Sequence, residues 1–194
     1  RVINDAWDYV CICNPRIPVP APWHTSVRRS VIGPRHSSRY YKILAHKTFP
    51  RAKITIWHGG NVQLLADPDA LLDIMGDSDI AVLKHPQRAS VYDEANACIN
   101  WKKGNPNAIR TQMNRYRREG FNGKPLSAAF LIVRRHTDKI AALNKLWWRE
   151  VKNGSVRDQL SFPYACWKLG IKPVIIPGGI YRGPHYIRHA EHRK

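Results

Sequence analysis

The chain has 194 residues, enough for one domain with its own core, and carries a formal net charge of +18. That charge favours polyanionic partners such as nucleic acid, acidic polysaccharide, anionic lipid or a nucleotide diphosphate, and it disfavours basic ones. The four cysteines, Cys11, Cys13, Cys98 and Cys166, show no C-x-x-C spacing, and no apolar run is long enough to span a bilayer, which argues against a zinc scaffold and a membrane partner.

Free thiols are the simplest account of the cysteines, so a reducing compartment, the cytoplasm, is expected. The chain opens on Arg1 rather than Met, which leaves room for a segment ahead of it. Residues 1–178 read as one domain, and 179–194 as a basic, His-rich tail.

Asp8 to Cys13 is a short apolar run of strand formers stopped by Asn14 and Pro15. The proline-rich stretch to Pro34 reads as a loop carrying one edge strand. Ser37 or Ser38 is placed to cap a helix running to about His46. Ile54 to Trp57 is a second strand, ended by Gly59 and Gly60. Asp67 and Pro68 open a helix through Met75. Ile80 to Leu83 is a third strand. Helices follow over Ala89 to Lys103 and Asn107 to Glu119, broken at Gly104-Asn105-Pro106.

Ala128 to Val133 is a fourth strand. Thr137 to Lys152 is a long helix with an apolar stripe of Ile140, Leu143, Trp147 and Val151. A helix over Val156 to Leu169 and a strand over Ile171 to Ile176 complete the alternation. Strands that are unbroken apolar runs, alternating with helices, predict an α/β fold: a mostly parallel sheet with helices on both faces. Ligands then bind beyond the C-terminal strand ends.

Several constellations at those ends carry possible chemistry. His58 follows a buried strand and precedes two glycines, where backbone can approach a ligand. Lys84, His85 and Arg88 gather two cations and an imidazole at one strand end, a plausible diphosphate clamp. Asp67-Pro68-Asp69 and Asp77-Ser78-Asp79 have the D-x-D form of a divalent-cation site, but helix capping and a turn explain them better. Asp158 opens a late helix among arginines and can orient a sugar hydroxyl or act as a base; Ser155-x-x-Asp158 also resembles a capping box. Arg110, Arg115, Arg117 and Arg118 give one helix a guanidinium-rich surface that suits phosphate backbone, DNA included.

Taken together, the segments Ser38 to His46, Ile56 to Gln63, His85 to Arg88, Tyr92 to Ala95, Gln112 to Phe121, Trp147 to Glu150 and Arg157 to Phe162 resemble a glycosyltransferase family that includes plant turgor-regulation and mucilage-related proteins. The resemblance implies a GT-A-like nucleotide-diphospho-sugar transferase fold with a UDP-sugar as donor. It implies Asp158, His58 and Glu94 as catalytic candidates. Arg39, Lys42, Trp57, Asn61, His85, Arg88 and Gln159 become the donor-binding candidates. Where the family usually carries an Asp after the Trp of its second strand, this chain has His58. That departure puts a Mn or Mg ion in question, or moves the metal to His58 and His185.

A looser resemblance is to the TET/JBP-associated DNA glycosyltransferases of phages and fungi. With the +18 charge, it makes a hydroxymethylated pyrimidine in DNA the leading acceptor. A polysaccharide or cell-surface acceptor is the alternative, and a non-catalytic nucleic-acid-binding module on the same fold is the third reading.

Overall fold

The computed structural model describes residues 3–14, 16–30, 32–179 and 181–189. The first strand, β1 (Val10–Cys13), pairs in parallel with β2 (His24–Val27), forming a separate two-stranded ribbon. Helix α1 (Pro34–Ile43) starts earlier than the expected serine cap, because Pro34 sits at its first position, where no backbone donor is needed. Ser37 lies inside the helix and its hydroxyl meets Ser30 at 3.1 Å. A short turn, α2 (Ala45–Thr48), leads into β3 (Ile54–His58) and β4 (Val62–Leu64).

Helix α3 (Pro68–Met75) is capped by Asp67, whose side chain accepts from Asp69 N at 2.9 Å. The first D-x-D triplet is thus a cap. It is also an anchor, since Asn4 Nδ2 reaches both carboxylates and Trp7 Nε1 reaches Asp69, each at 2.9 Å. Then come β5 (Ile80–Lys84), α4 (Val91–Asn100), α5 (Pro106–Arg118), β6 (Ser127–Arg135), α6 (Asp138–Asn153), α7 (Asp158–Lys168) and β7 (Val174–Ile176). Two short strands, β8 (Arg182–Gly183) and β9 (Tyr186–Arg188), fold the described part of the tail back onto β4.

The main sheet has the order β3-β6-β5-β7. Here the expected mostly parallel sheet is corrected to a mixed one. β6 runs antiparallel to both β3 and β5, and only β5 and β7 pair in parallel. A central antiparallel strand covered on both faces is as continuously apolar as a parallel one, so hydrophobicity alone does not reveal its direction.

Helices do cover both faces. Ile80, Val82 and Ile132 pack with Ile43, Ile140, Leu143, Trp147 and Phe162 of α1, α6 and α7. Ala81, Leu83, Leu131 and Val133 pack on the other side with Leu71 and Met75 of α3 and with Tyr186 of β9. A third cluster joins α4, α5 and α7 beyond the sheet, with Tyr116 stacked on Tyr164 at 3.8 Å.

Candidate active site

Two buried carboxylates organise one end of the molecule. The first is Asp158. Ser155 Oγ accepts from Arg157 N at 3.2 Å, and α7 begins at Asp158 with no side-chain cap. Trp147 Nε1 and Ser161 Oγ donate to the Asp158 carbonyl at 2.9 and 3.2 Å, which fixes this first turn. The carboxylate is therefore free to face α1, where Lys42 Nζ lies 2.5 Å from one oxygen and Arg39 Nε 3.4 Å from the other. Burial alone would raise the Asp158 pKa. Lys42, Arg39 and Arg157 outweigh it and hold the group below its ordinary value.

The second is Glu94. Ser90 caps α4 by accepting from Tyr92 N at 3.0 Å, so Glu94 falls in the first turn and points inward. Arg88 Nε lies 2.5 Å from its carboxylate, His85 Nε2 3.7 Å and Arg157 3.8 Å. Cys98 Sγ is 3.5 Å away on the next helical turn. His85 Nδ1 accepts from Arg88 N at 2.9 Å, which leaves the ring proton on Nε2, facing Glu94. Burial lowers the His85 pKa against the pull of Glu94, so the imidazole stays neutral near pH 7.

Arg157 joins the two acids: it reaches Glu94 and is the neighbour of Asp158. Four cationic side chains, Arg39, Lys42, Arg88 and Arg157, thus surround two carboxylates, leaving a positive excess. The arginine side chains are 19% to 28% exposed, so that excess faces solvent. The Nε atoms of Arg39 and Arg157 are buried and make no hydrogen bond among the described residues.

Six of the expected residues, Arg39, Lys42, His85, Arg88, Glu94 and Asp158, therefore converge. Arg157, which the sequence offers only as part of the Arg157-Asp158-Gln159 segment, joins them. Its signal was adjacency to the one acid that segment holds.

The other candidates lie elsewhere. Gln159 is half-buried, with no hydrogen bond to the cluster among the described residues. Trp57 packs against the core on the α1/α6 side. His58 donates from Nδ1 to Gly59 O at 3.0 Å and sets its ring edge-on to Trp23 at 5.4 Å. Burial lowers its pKa.

His58 lines a cavity of about 420 Å³ that touches all five residues of β3 and is walled by Trp7, Tyr9, Trp23 and Phe49. An adjoining cavity of about 390 Å³ shares Tyr9, Trp23 and His58 and adds Asn61, whose amide donates to His189 O at 3.0 Å. No residue of the cationic cluster lines either cavity.

The strand end is a poor fit for Mg or Mn, which favour oxygen ligands: it offers an imidazole, His58, followed by two glycines, and no carboxylate. His185 has a buried Nδ1 without a partner, yet among the described residues no three His, Cys, Asp or Glu side chains come together to hold a metal.

Arg110, Arg117 and Arg118 are exposed on α5, with Arg117 over the Tyr92 ring at 4.2 Å. Arg115 is tied into the protein: it pairs with buried Glu150 and, at 3.1 Å, with Glu119. Tyr116 donates to Glu150 at 2.8 Å and Gln112 to its carbonyl at 3.1 Å. The Gln112 to Phe121 and Trp147 to Glu150 segments therefore meet in one buried network.

A family model described as the TOD1/MUCI70, glycosyltransferase-like domain matches residues 30–176. The chain is 32% identical to alkaline ceramidase TOD1 of Arabidopsis thaliana over 138 residues, covering 63% of this chain and 29% of that protein. It is 30% identical to probable hexosyltransferase MUCI70 of the same plant over 142 residues, covering 66% and 24% respectively. The chain thus spans less than a third of the length of these curated relatives. No solved structure matches it. Neither relative is named for nucleic acid, and the looser resemblance to DNA-modifying transferases finds no support in them. The match across residues 30–176 takes in both buried carboxylates and all four cations around them, and the chain belongs to the TOD1/MUCI70 glycosyltransferase-like family.

Proposed function

We propose that this chain is the transfer domain of a glycosyltransferase that moves a sugar from a nucleotide-diphosphate donor to a polysaccharide or cell-surface glycan. The observation that carries the reading is the cluster of four cations around Glu94 and Asp158, with its positive excess open to solvent. As the bond between the sugar's anomeric carbon and the diphosphate oxygen breaks, the electron pair goes to that oxygen, an acceptor hydroxyl bonds to the anomeric carbon, and its proton passes to the leaving diphosphate. Cations already in place where this charge develops lower the barrier. Arg39, Lys42, Arg88 and Arg157 have that role, and side-chain charge does the work that a metal ion does in other transferases.

Glu94 holds Arg88 and Arg157 toward the diphosphate. Asp158, kept ionised and weakly basic by its partners, suits orientation of Lys42 and of a sugar hydroxyl better than proton abstraction. The GT-A-like arrangement belongs to this reading too: the parallel pair β5 and β7 ends beside the loop that carries His85 and Arg88. The name of the hexosyltransferase relative favours a glycan acceptor over DNA.

The test is binding of nucleoside diphosphates followed by thermal unfolding. A ligand at a hundredfold its dissociation constant adds about 2.7 kcal/mol of stability. UDP or another nucleoside diphosphate is expected to raise the midpoint, and Arg88→Ala to remove the shift. A chain that no nucleoside diphosphate stabilises does not have this function.

A further inference from the structure

We propose that Trp101 is the stacking platform for a sugar ring of the acceptor, at the outer lip of the cationic cluster; this rests on the glycosyl-transfer reading above. Trp101 ends α4 and is 54% exposed, the most exposed tryptophan among the described residues. A single exposed apolar side chain is ordinary on a protein surface. What sets Trp101 apart is its attachment to the cluster. The Arg88 guanidinium lies 5.1 Å from the indole centroid, and the same side chain bonds Glu94 at 2.5 Å. Lys103 Nζ is 4.5 Å from the ring.

The loop after Trp101 is held in a costly shape. Lys102 has φ 53, the only non-glycine residue with positive φ among the described residues. Lys103 N donates to Cys98 O at 2.8 Å. The turn then delivers Gly104, at φ +125, against Arg157: a Cβ there would lie 3.6 Å from Arg157 Cγ. The segment from Trp101 to Gly104 is thus seated on Arg88 and Arg157, two of the arginines assigned to the diphosphate.

The chemistry selects a sugar. One face of a pyranose is a flat row of C–H bonds with slight positive charge, and it matches the electron-rich face of an indole. The Lys103 ammonium, exposed and 4.5 Å from the indole centroid, gives way to the stacked sugar and donates hydrogen bonds to its hydroxyls. The donor occupies the interior, against the buried acids, and the acceptor approaches from solvent. An exposed indole outside Arg88 is on the acceptor's side.

Wild type, Trp101→Ala and Trp101→Phe are compared in two assays on the folded protein. The first is retardation in native gels cast with hydroxyethyl cellulose, with soluble starch or, in added salt, with carboxymethyl cellulose, all without donor. The second is the thermal shift with UDP. Wild type is expected to be retarded by at least one of these glycans. Trp101→Ala should weaken that binding by about tenfold and Trp101→Phe by less, with the UDP shift unchanged in both. Absence of retardation for wild type, or equal retardation for Trp101→Ala, overturns the proposal. So does a loss confined to the UDP shift, which would make Trp101 a base platform instead. A failure of the donor reading shows separately, as a wild type that UDP does not stabilise.

Discussion

At the scale of single residues, Asp158 occupies a position where an acid ordinarily answers a helix N-terminus, yet its carboxylate turns away to Lys42 and Arg39. A capping role would let asparagine substitute at little cost. The observed pairing predicts otherwise. Asp158→Asn leaves a buried ammonium and a guanidinium unpaired, and removing one partner of a buried ion pair costs about 3 kcal/mol or more. Urea unfolding at neutral pH is expected to show that loss.

The pH dependence follows from the direction of the shift. Asp158 titrates lower in the folded than in the unfolded chain, whose value lies near 3.8. Its contribution is present above 3.8 and disappears as pH falls through the folded value, so the two proteins converge in strong acid. An unchanged stability in the mutant at pH 7 would return Asp158 to a capping role. The acid itself was legible through the Arg157-Asp158-Gln159 segment. Its partners were named too, but not as partners, because Lys42 and Asp158 lie 116 residues apart and nothing local to either reveals the other.

At the scale of elements, helix and strand identities were largely legible because their apolar runs are long and well punctuated. The direction of β6 was not, since burial on both faces erases the alternation that marks many antiparallel strands. The small sheet β4-β9-β8 was not legible either. Its strands have two or three residues, and Arg182 and Arg188 break any hydrophobic pattern.

What holds α1 in place was equally hidden. Arg134 on β6 is fully buried, and its guanidinium donates to the carbonyls of Lys42 and Ile43, to Asn144 Oδ1 and to Thr55 Oγ1. It satisfies the last carbonyls of the helix that carries Arg39 and Lys42. Arg134→Met leaves those carbonyls buried and unpaired, at about 2 kcal/mol or more. It also frees the end of α1. The expected result is a lower unfolding midpoint together with a weaker nucleoside diphosphate shift, measured on protein that circular dichroism shows to be folded. A mutant with normal stability would show that the α1 terminus needs no such clamp.

At the scale of the whole molecule, the +18 charge was the most visible feature of the sequence and the least decisive for function. Arg110, Arg117 and Arg118 lie exposed on α5, while the cations that converge on the buried acids come from α1, the loop after β5 and the start of α7. A high net charge gives a long-range attraction for any polyanion. Specific chemistry requires the few cations that folding brings against carboxylates.

The charge also says nothing of how evenly the molecule is held together, and the ribbon of β1 and β2 is held differently from the rest. Among the described residues, no backbone hydrogen bond links it to the main sheet. The Tyr9–Trp23–His58 edge contacts, at 5.6 and 5.4 Å, and the bonds from Asn4 and Trp7 to α3 tie it down. Its opening therefore need not wait for global unfolding. In native-state amide exchange, residues 10–13 and 24–27 should trade hydrogen for deuterium as a unit, at lower free energy than β5 and β6. Asp69→Asn should accelerate that unit alone, so the molecule behaves as two cooperative bodies with Trp23 and His58 at their seam.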